Sequence, residues 1–339
     1  MLYGWLAAQQ RVPSGEFSAV PMPITSPPAL APVPSPDEGE LCAGPGRGWL
    51  LARAIPKLVR WPNLAIMLLS LVLVQGMLRP TQSLGAALLA PGFGLMVLAS
   101  LLVAAAGYII NDYYDVKIDA INRPDRLVVG RLVRRRHAML AHLMLSGLGV
   151  GLAIWSGNGK RQALLLGLVT LGAALLLWGY SARFKRLPLV GNLSIGTLTA
   201  ALVLLPELQL LTGRQAVWLY ALAAFLLTVV REIIKDLEDM RGDAQHGCHT
   251  LPLAWGVVRS KWVTGFFWGC LLVLVLGVVG QLLVWSRWAL ATWLLGLVVL
   301  PLGWLVRLLV RADRRRQFRQ LSAWCKAIML AGVLSMLLV

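Results

Sequence analysis

The 339-residue sequence is poor in charge: Asp, Glu, Lys and Arg make up 14% of it, and only 15 residues are acidic. A water-soluble domain carries about a quarter charged residues, so the solvated surface of a soluble globular fold is missing. Cysteine is scarce too. Cys42, Cys248, Cys270 and Cys325 form no CxxC pair, which excludes a disulfide framework and a thiolate zinc site. A secretory leader is not expected, because residues 1–8 are too short an apolar run and no basic stretch precedes them. What is plentiful is apolar, at 58% of the chain. Uninterrupted runs of about 19 residues recur, enough to cross a bilayer. The expectation is an all-α polytopic membrane protein.

Residues 1–48 differ from the rest. They hold nine of the 18 prolines and are expected to be a disordered proline-rich tail preceding a membrane domain over 49–339. Nine spans follow, at roughly 61–78, 91–110, 137–155, 163–180, 193–211, 216–235, 262–284, 288–306 and 321–339. Their loops carry 25 basic residues on one side and five on the other. Such a bias sets the amino terminus and the large loops in the cytoplasm and the carboxyl terminus outside. It also accounts for the net charge of +17 through anionic lipid headgroups, with no nucleic acid as partner. The expected location is the cell's inner (plasma) membrane.

The acids are concentrated. Nine of the 15 fall in two stretches, one from Asn111 to Asp125 and one from Glu232 to Asp243. Both repeat one spacing: Asp112, Asp115 and Asp119, then Asp236, Asp239 and Asp243. Positions i, i+3 and i+7 share one helix face. Carboxylates about 6 Å apart repel by roughly 3 kcal/mol at an effective dielectric near 20, so each trio needs something to answer it. A hard divalent cation does so, and Mg²⁺ takes one or two carboxylates together with substrate phosphate. Both trios end spans on the same side, where they can face one shared cavity. Basic residues accompany them: Arg123 and Arg126 after the first, Arg231 and Lys235 before the second, and Arg183, Lys185 and Arg186 between spans four and five. Cations there offset the charge of a departing pyrophosphate. A transporter is the rival class, but transporters set ionisable groups near the bilayer midplane rather than at one boundary.

Other features carry less. His246, Cys248 and His249 are too close together to close a tetrahedral site and are read as a structural loop. Gly147, Gly149 and Gly151 suggest close helix packing. Glu207, beside Pro206, either lines the cavity or caps a kink.

The combination Asn111-Asp112-x-x-Asp115-x-x-x-Asp119 with Lys235-Asp236-x-x-Asp239-x-x-Gly242-Asp243 resembles the paired signatures of the UbiA superfamily of intramembrane prenyltransferases. Gly247-x-x-Thr250-Leu251-Pro252, Arg60-Trp-Pro-Asn63 and Tyr180-Ser-Ala-Arg183-Phe-Lys185 are similar to its other conserved surroundings, and the likeness covers roughly 50–339. The resemblance implies a nine-helix bundle around a central cavity. It further implies that Asp112, Asp115, Asp236 and Asp239 hold Mg²⁺, with Asp119, Asp243 and Lys235 among the catalytic groups. Arg60, Asn63, Asn111, Arg123, Arg126, Tyr180, Arg183, Lys185 and Arg231 would then bind a polyprenyl diphosphate and an acceptor. The quinone branches carry Tyr-Pro after helix four, a Pro-Gln element further on, and a Tyr four residues before the second motif's Lys. Here Ser181, the stretch 187–192 and Arg231 stand at those places. That pattern is closer to the branch alkylating a lipid hydroxyl, as in geranylgeranylglyceryl phosphate; an aromatic acceptor is the alternative.

Overall fold

A computed structural model describes residues 54–79, 82–122, 128–245 and 247–339. The expected tail at 1–48, and Arg123, Arg126 and His246, lie outside the described residues. Nine helices among the described residues are long and apolar enough to cross a membrane. We number them α1 (Trp61–Leu78), α2 (Phe93–Asn122), α3 (Arg135–Trp155), α4 (Lys160–Ala182), α5 (Val190–Leu210), α6 (Gln215–Gln245), α7 (Val257–Val284), α8 (Trp288–Arg311) and α9 (Arg315–Leu334). Short helices at Leu84–Leu88 and Leu251–Trp255 join α1 to α2 and α6 to α7. No strand occurs among the described residues. The expected spans are all present, but α2 and α6 run well past their apolar stretches, to Asn122 and Gln245. Both Asp trios therefore ride on continuations of membrane helices rather than on loops.

Local chemistry explains the breaks. Pro62 occupies the first turn of α1, where a missing N–H costs nothing. Pro301 lies inside α8, which relaxes into a π-turn over Leu295–Val299 just before it, as helices do where the hydrogen-bond ladder is interrupted. Gln317 accepts hydrogen bonds from the backbone N–H groups of Asp313 and Arg314, both at 2.9 Å, and so closes the start of α9. Trp61, Trp155, Trp262, Trp285 and Trp288 are all exposed near helix ends, where an amphipathic ring meets the lipid headgroups.

The helix α6 packs against α5, α7 and α9. Its contact with α5 depends on Gly196, where an added Cβ would stand 2.7 Å from Val229 Cγ2 and 3.0 Å from Phe225 Cδ2. Only one glycine of the Gly147–Gly149–Gly151 series has a packing role. A Cβ on Gly149 would meet Val103 Cγ2 of α2 at 2.6 Å, whereas Gly147 and Gly151 face open space. At the end opposite the Asp motifs, polar side chains tie the bundle together. Arg214 donates to the Met77 carbonyl at 2.6 Å, and Gln209 to the Ser156 carbonyl at 2.9 Å. Glu207 accepts from the Thr212 hydroxyl and the Gly213 N–H, at 2.5 and 2.6 Å. It caps the turn after α5 and does not line the cavity.

Candidate active site

The two long helices bring the motifs to one place. Asp112 and Asp115 of α2, and Asp236, Asp239 and Asp243 of α6, all line a single cavity of about 2010 Å³. Asp119 lies on the same extension of α2, and its side chain is outside the described set. Beneath the motifs the cavity wall turns apolar, with residues such as Val103, Leu177, Leu202, Leu227, Leu274 and Val278. Its mouth is thus polar and its depth is suited to hydrocarbon.

Within the protein, each carboxylate already has an answer to the repulsion implied by its spacing. Arg60 reaches Asp112 at 3.2 Å, and its guanidinium lies over the Tyr108 ring, 5.0 Å from the centroid. Lys185 meets Asp115 at 2.5 Å, and Asn111 donates to the other Asp115 oxygen at 3.0 Å. Asn192 donates to Asp236 at 2.7 Å, and Arg315 at the start of α9 stands 3.6 Å from Asp239. Thr250 donates to Asp243 at 3.4 Å. Lys235 is turned away from the trio towards Glu232, 3.7 Å away, and Arg231 pairs with the same glutamate.

The expected substrate residues divide into two groups. Arg60, Asn63, Asn111, Tyr180, Lys185 and Arg231 all line the cavity. Arg183 and Arg186 do not. Their side chains are exposed, and the Arg186 carbonyl accepts from His249 N–H at 3.0 Å, which docks the loop after α6 onto the loop after α4. That contact supports the structural reading of the Cys248–His249 loop. Sequence reasoning missed Asn192, Glu232 and Arg315. Asn192 was visible only as a departure from a family pattern, and Arg315 only as one of many topology-setting cations. Glu232 had a signal, since it precedes Asp236 by one helical turn on the same face. Lys326, which neither side of the loop charge count claims, also lines the cavity midway along α9.

Among the described residues, no three His, Cys, Asp or Glu side chains stand close enough to hold a metal ion unaided. The available donors are hard carboxylate oxygens from two helices, and Mg²⁺ characteristically takes one or two of these and completes its shell with water and phosphate. The donor set therefore fits a cation that arrives with a diphosphate rather than a closed protein cage. Electrostatics agree. Seven carboxylates and nine Lys and Arg residues line the cavity as a whole, so a metal–diphosphate pair, which brings net negative charge, enters a field with a small positive excess.

Residues 68–329 match the UbiA prenyltransferase family, and the chain belongs to it. It is an integral membrane protein. Among characterised relatives it is similar to digeranylgeranylglyceryl phosphate synthase of Methanospirillum hungatei, at 35% identity over 201 residues covering 59% of this chain and 67% of the relative. The same enzyme of Pyrococcus abyssi is 39% identical over 175 residues, covering 51% and 60%. The chain thus spans roughly three-fifths of the length of these relatives, 60% and 67% for the two. In fold it is similar to a solved digeranylgeranylglyceryl phosphate synthase, with TM-score 0.65 and 21% identity over 85% of this chain and 99% of that one. A UbiA homologue from Archaeoglobus fulgidus solved with GPP and Mg²⁺ gives TM-score 0.55 at 18% identity, covering 84% and 99%.

Proposed function

We propose that the protein transfers a prenyl group from a polyprenyl diphosphate, geranylgeranyl diphosphate in the first instance, to the hydroxyl of a lipid acceptor such as geranylgeranylglyceryl phosphate, with release of pyrophosphate. The observation that carries this reading is the convergence of the two Asp stretches on one cavity whose depth is apolar. The name of the curated relatives, digeranylgeranylglyceryl phosphate synthase, supports the choice of acceptor.

In this reading Asp112, Asp115, Asp236 and Asp239 hold Mg²⁺, with Asp119 and Asp243 at the ends of the two trios. The bound cation would supply Lewis-acid neutralisation of the leaving pyrophosphate. The protein's own residues do the remainder. Lys185, Lys235 and Arg60 stand where they can turn from carboxylate to phosphate oxygens as the diphosphate enters. Asn111 and Asn192 fix the rotamers of Asp115 and Asp236. Arg231, Asn63 and Tyr180 would lie between diphosphate and acceptor, and the family resemblance adds Arg123 and Arg126 to the substrate-binding residues. Apolar walls orient the prenyl chain and keep water from the allylic carbon. Membrane embedding suits both substrates, since each buried CH₂ favours the lipid phase by about 0.8 kcal/mol. The loop bias favours a cytoplasmic amino terminus and mouth, with the carboxyl terminus outside, in the cell's inner membrane. The proline-rich residues 1–48 would then form a cytoplasmic tail to the membrane domain at 49–339.

The test is purified protein in lipid with labelled geranylgeranyl diphosphate, Mg²⁺ and a panel of acceptors: geranylgeranylglyceryl phosphate, 4-hydroxybenzoate, a dihydroxynaphthoate and a chlorophyllide. Product with the glyceryl phosphate alone is expected. Product from an aromatic acid and none from the glyceryl phosphate would overturn the acceptor.

A further inference from the structure

Glu232 stands apart from the other acids of the cavity. It belongs to neither Asp trio, is 7% exposed, and lines the cavity on α6. Four residues before Asp236, it lies about 6 Å nearer the centre of the membrane helix at 1.5 Å per residue. That is the level beneath the diphosphate, where the reacting carbon must sit. One Glu232 oxygen, Oε1, accepts from Arg231 Nη1. The other, Oε2, is ion-paired with Lys235 Nζ at 3.7 Å but makes no hydrogen bond among the described residues, so it can still accept one.

A second observation points to a ligand at this level. Thr228, one turn further in, is 2% exposed and lines the cavity, yet its hydroxyl has no hydrogen-bond partner. The Arg231 Nε is likewise buried and unpartnered. Buried polar groups are nearly always satisfied, so two such orphans side by side call for a partner, and a ligand in the cavity would supply one. Thr228 and Glu232 share one face of α6 by their four-residue spacing, with Arg231 adjacent. Asp112, Asp115, Asp236 and Asp239 meet Arg60, Lys185, Asn192 and Arg315 at the mouth, whereas Glu232 lies one turn below Asp236 with no hydrogen bond to Oε2.

We propose that Glu232 takes up the proton of the acceptor hydroxyl as it is alkylated, with Thr228 and Arg231 holding the acceptor's oxygens. This assignment rests on the hydroxyl-acceptor reading above. The allylic C–O bond breaks and its electron pair leaves with pyrophosphate. A lone pair of the acceptor oxygen forms the new C–O bond. The hydroxyl proton passes to Glu232 Oε2 and returns to solvent through the mouth when pyrophosphate departs.

The experiment compares two acceptors in lipid with labelled geranylgeranyl diphosphate: geranylgeranylglyceryl phosphate, and its analogue with sulfur in place of the reacting hydroxyl oxygen. Both are assayed at one pH; an alkyl thiol is far more acidic than an alcohol and attacks with little help from a base. For Glu232→Gln, transfer to the hydroxyl should fall about 10²- to 10⁴-fold, the usual contribution of general-base catalysis. Transfer to the thiol should fall less than about tenfold, because a thiol needs little of the base assistance that Glu232 provides. Equal loss on both acceptors, or wild-type transfer to the hydroxyl, would overturn the proposal. If Glu232→Gln does not accumulate in membranes, Glu232→Ala is read on the same pair. A deficit confined to the hydroxyl supports the role, and an equal deficit or none refutes it. Wild-type protein that alkylates neither acceptor would defeat the functional reading itself, a result distinct from either.

Discussion

Lys185 and Asp115 give the sharpest test of whether protein cations hold the place of the metal. Their N–O separation is 2.5 Å, and their side chains are 14% and 17% exposed. At an effective dielectric near 20, that separation corresponds to a gross attraction of about 7 kcal/mol. Desolvation of both ions offsets much of it. Removing one partner of a buried pair costs 3–5 kcal/mol, and the residual exposure here argues for about 3. Lys185→Met keeps the bulk of the stem and deletes the charge; Asp115→Asn deletes the other. Equilibrium unfolding in mixed micelles with EDTA should give a coupling of about 2–3 kcal/mol in the double-mutant cycle. With Mg²⁺ and prenyl diphosphate, the coupling should drop below about 1 kcal/mol, because a cation at Asp115 replaces the ammonium. The spacing of the carboxylates alone predicts that neutralising Asp115 relieves repulsion in the metal-free protein; with Lys185 paired to it, Asp115→Asn should instead destabilise it. A coupling under about 0.5 kcal/mol in EDTA would show that the pair carries no energy. An unchanged coupling with Mg²⁺ would remove Asp115 from the ligand set.

Three further outcomes are expected. Asn192→Ala leaves half-buried Asp236 without its donor; a hydrogen bond to a charged group is worth about 1.5–3 kcal/mol, so labelled-prenyl transfer should fall about 10- to 150-fold while membrane expression persists. Gly196→Ala forces α5 from α6 against the 2.7 Å approach to Val229 and should cost about 1–3 kcal/mol in unfolding, whereas Gly147→Ala, facing open space, should cost none. Cys248 lies in the loop after α6, where burial pushes its thiol above the ordinary 9.0. With the other cysteines replaced, an impermeant maleimide should react slowly at pH 7 and faster through pH 9 and above, because only the thiolate attacks. Reaction should come from the cytoplasmic face alone, and labelling from the outer face would overturn the proposed topology.

The residues that determine membrane class, span number and metal-type chemistry are local in the chain. Apolar run length sets the number of crossings, since the bilayer thickness is fixed. Loop charge sets the orientation, and i, i+3, i+7 spacing places Asp112 with Asp115 and Asp236 with Asp239 on a helix face in any fold that keeps those helices. Partnerships across the bundle are not local. That Lys185 rather than Arg183 enters the cavity depends on the turn at Phe184–Arg186, which turns one side chain inward and leaves Arg183 and Arg186 exposed. That Asn192 and Arg315 serve the second motif depends on α5 and α9 both packing on α6. Glu207 is equally polar in sequence, yet the turn it caps lies at the far end of the bundle. Glu232 shares its helix face with Asp236 in any reading of the sequence. That its Oε2 makes no hydrogen bond, near the orphaned Thr228 hydroxyl, is decided only once the bundle encloses that face in a cavity.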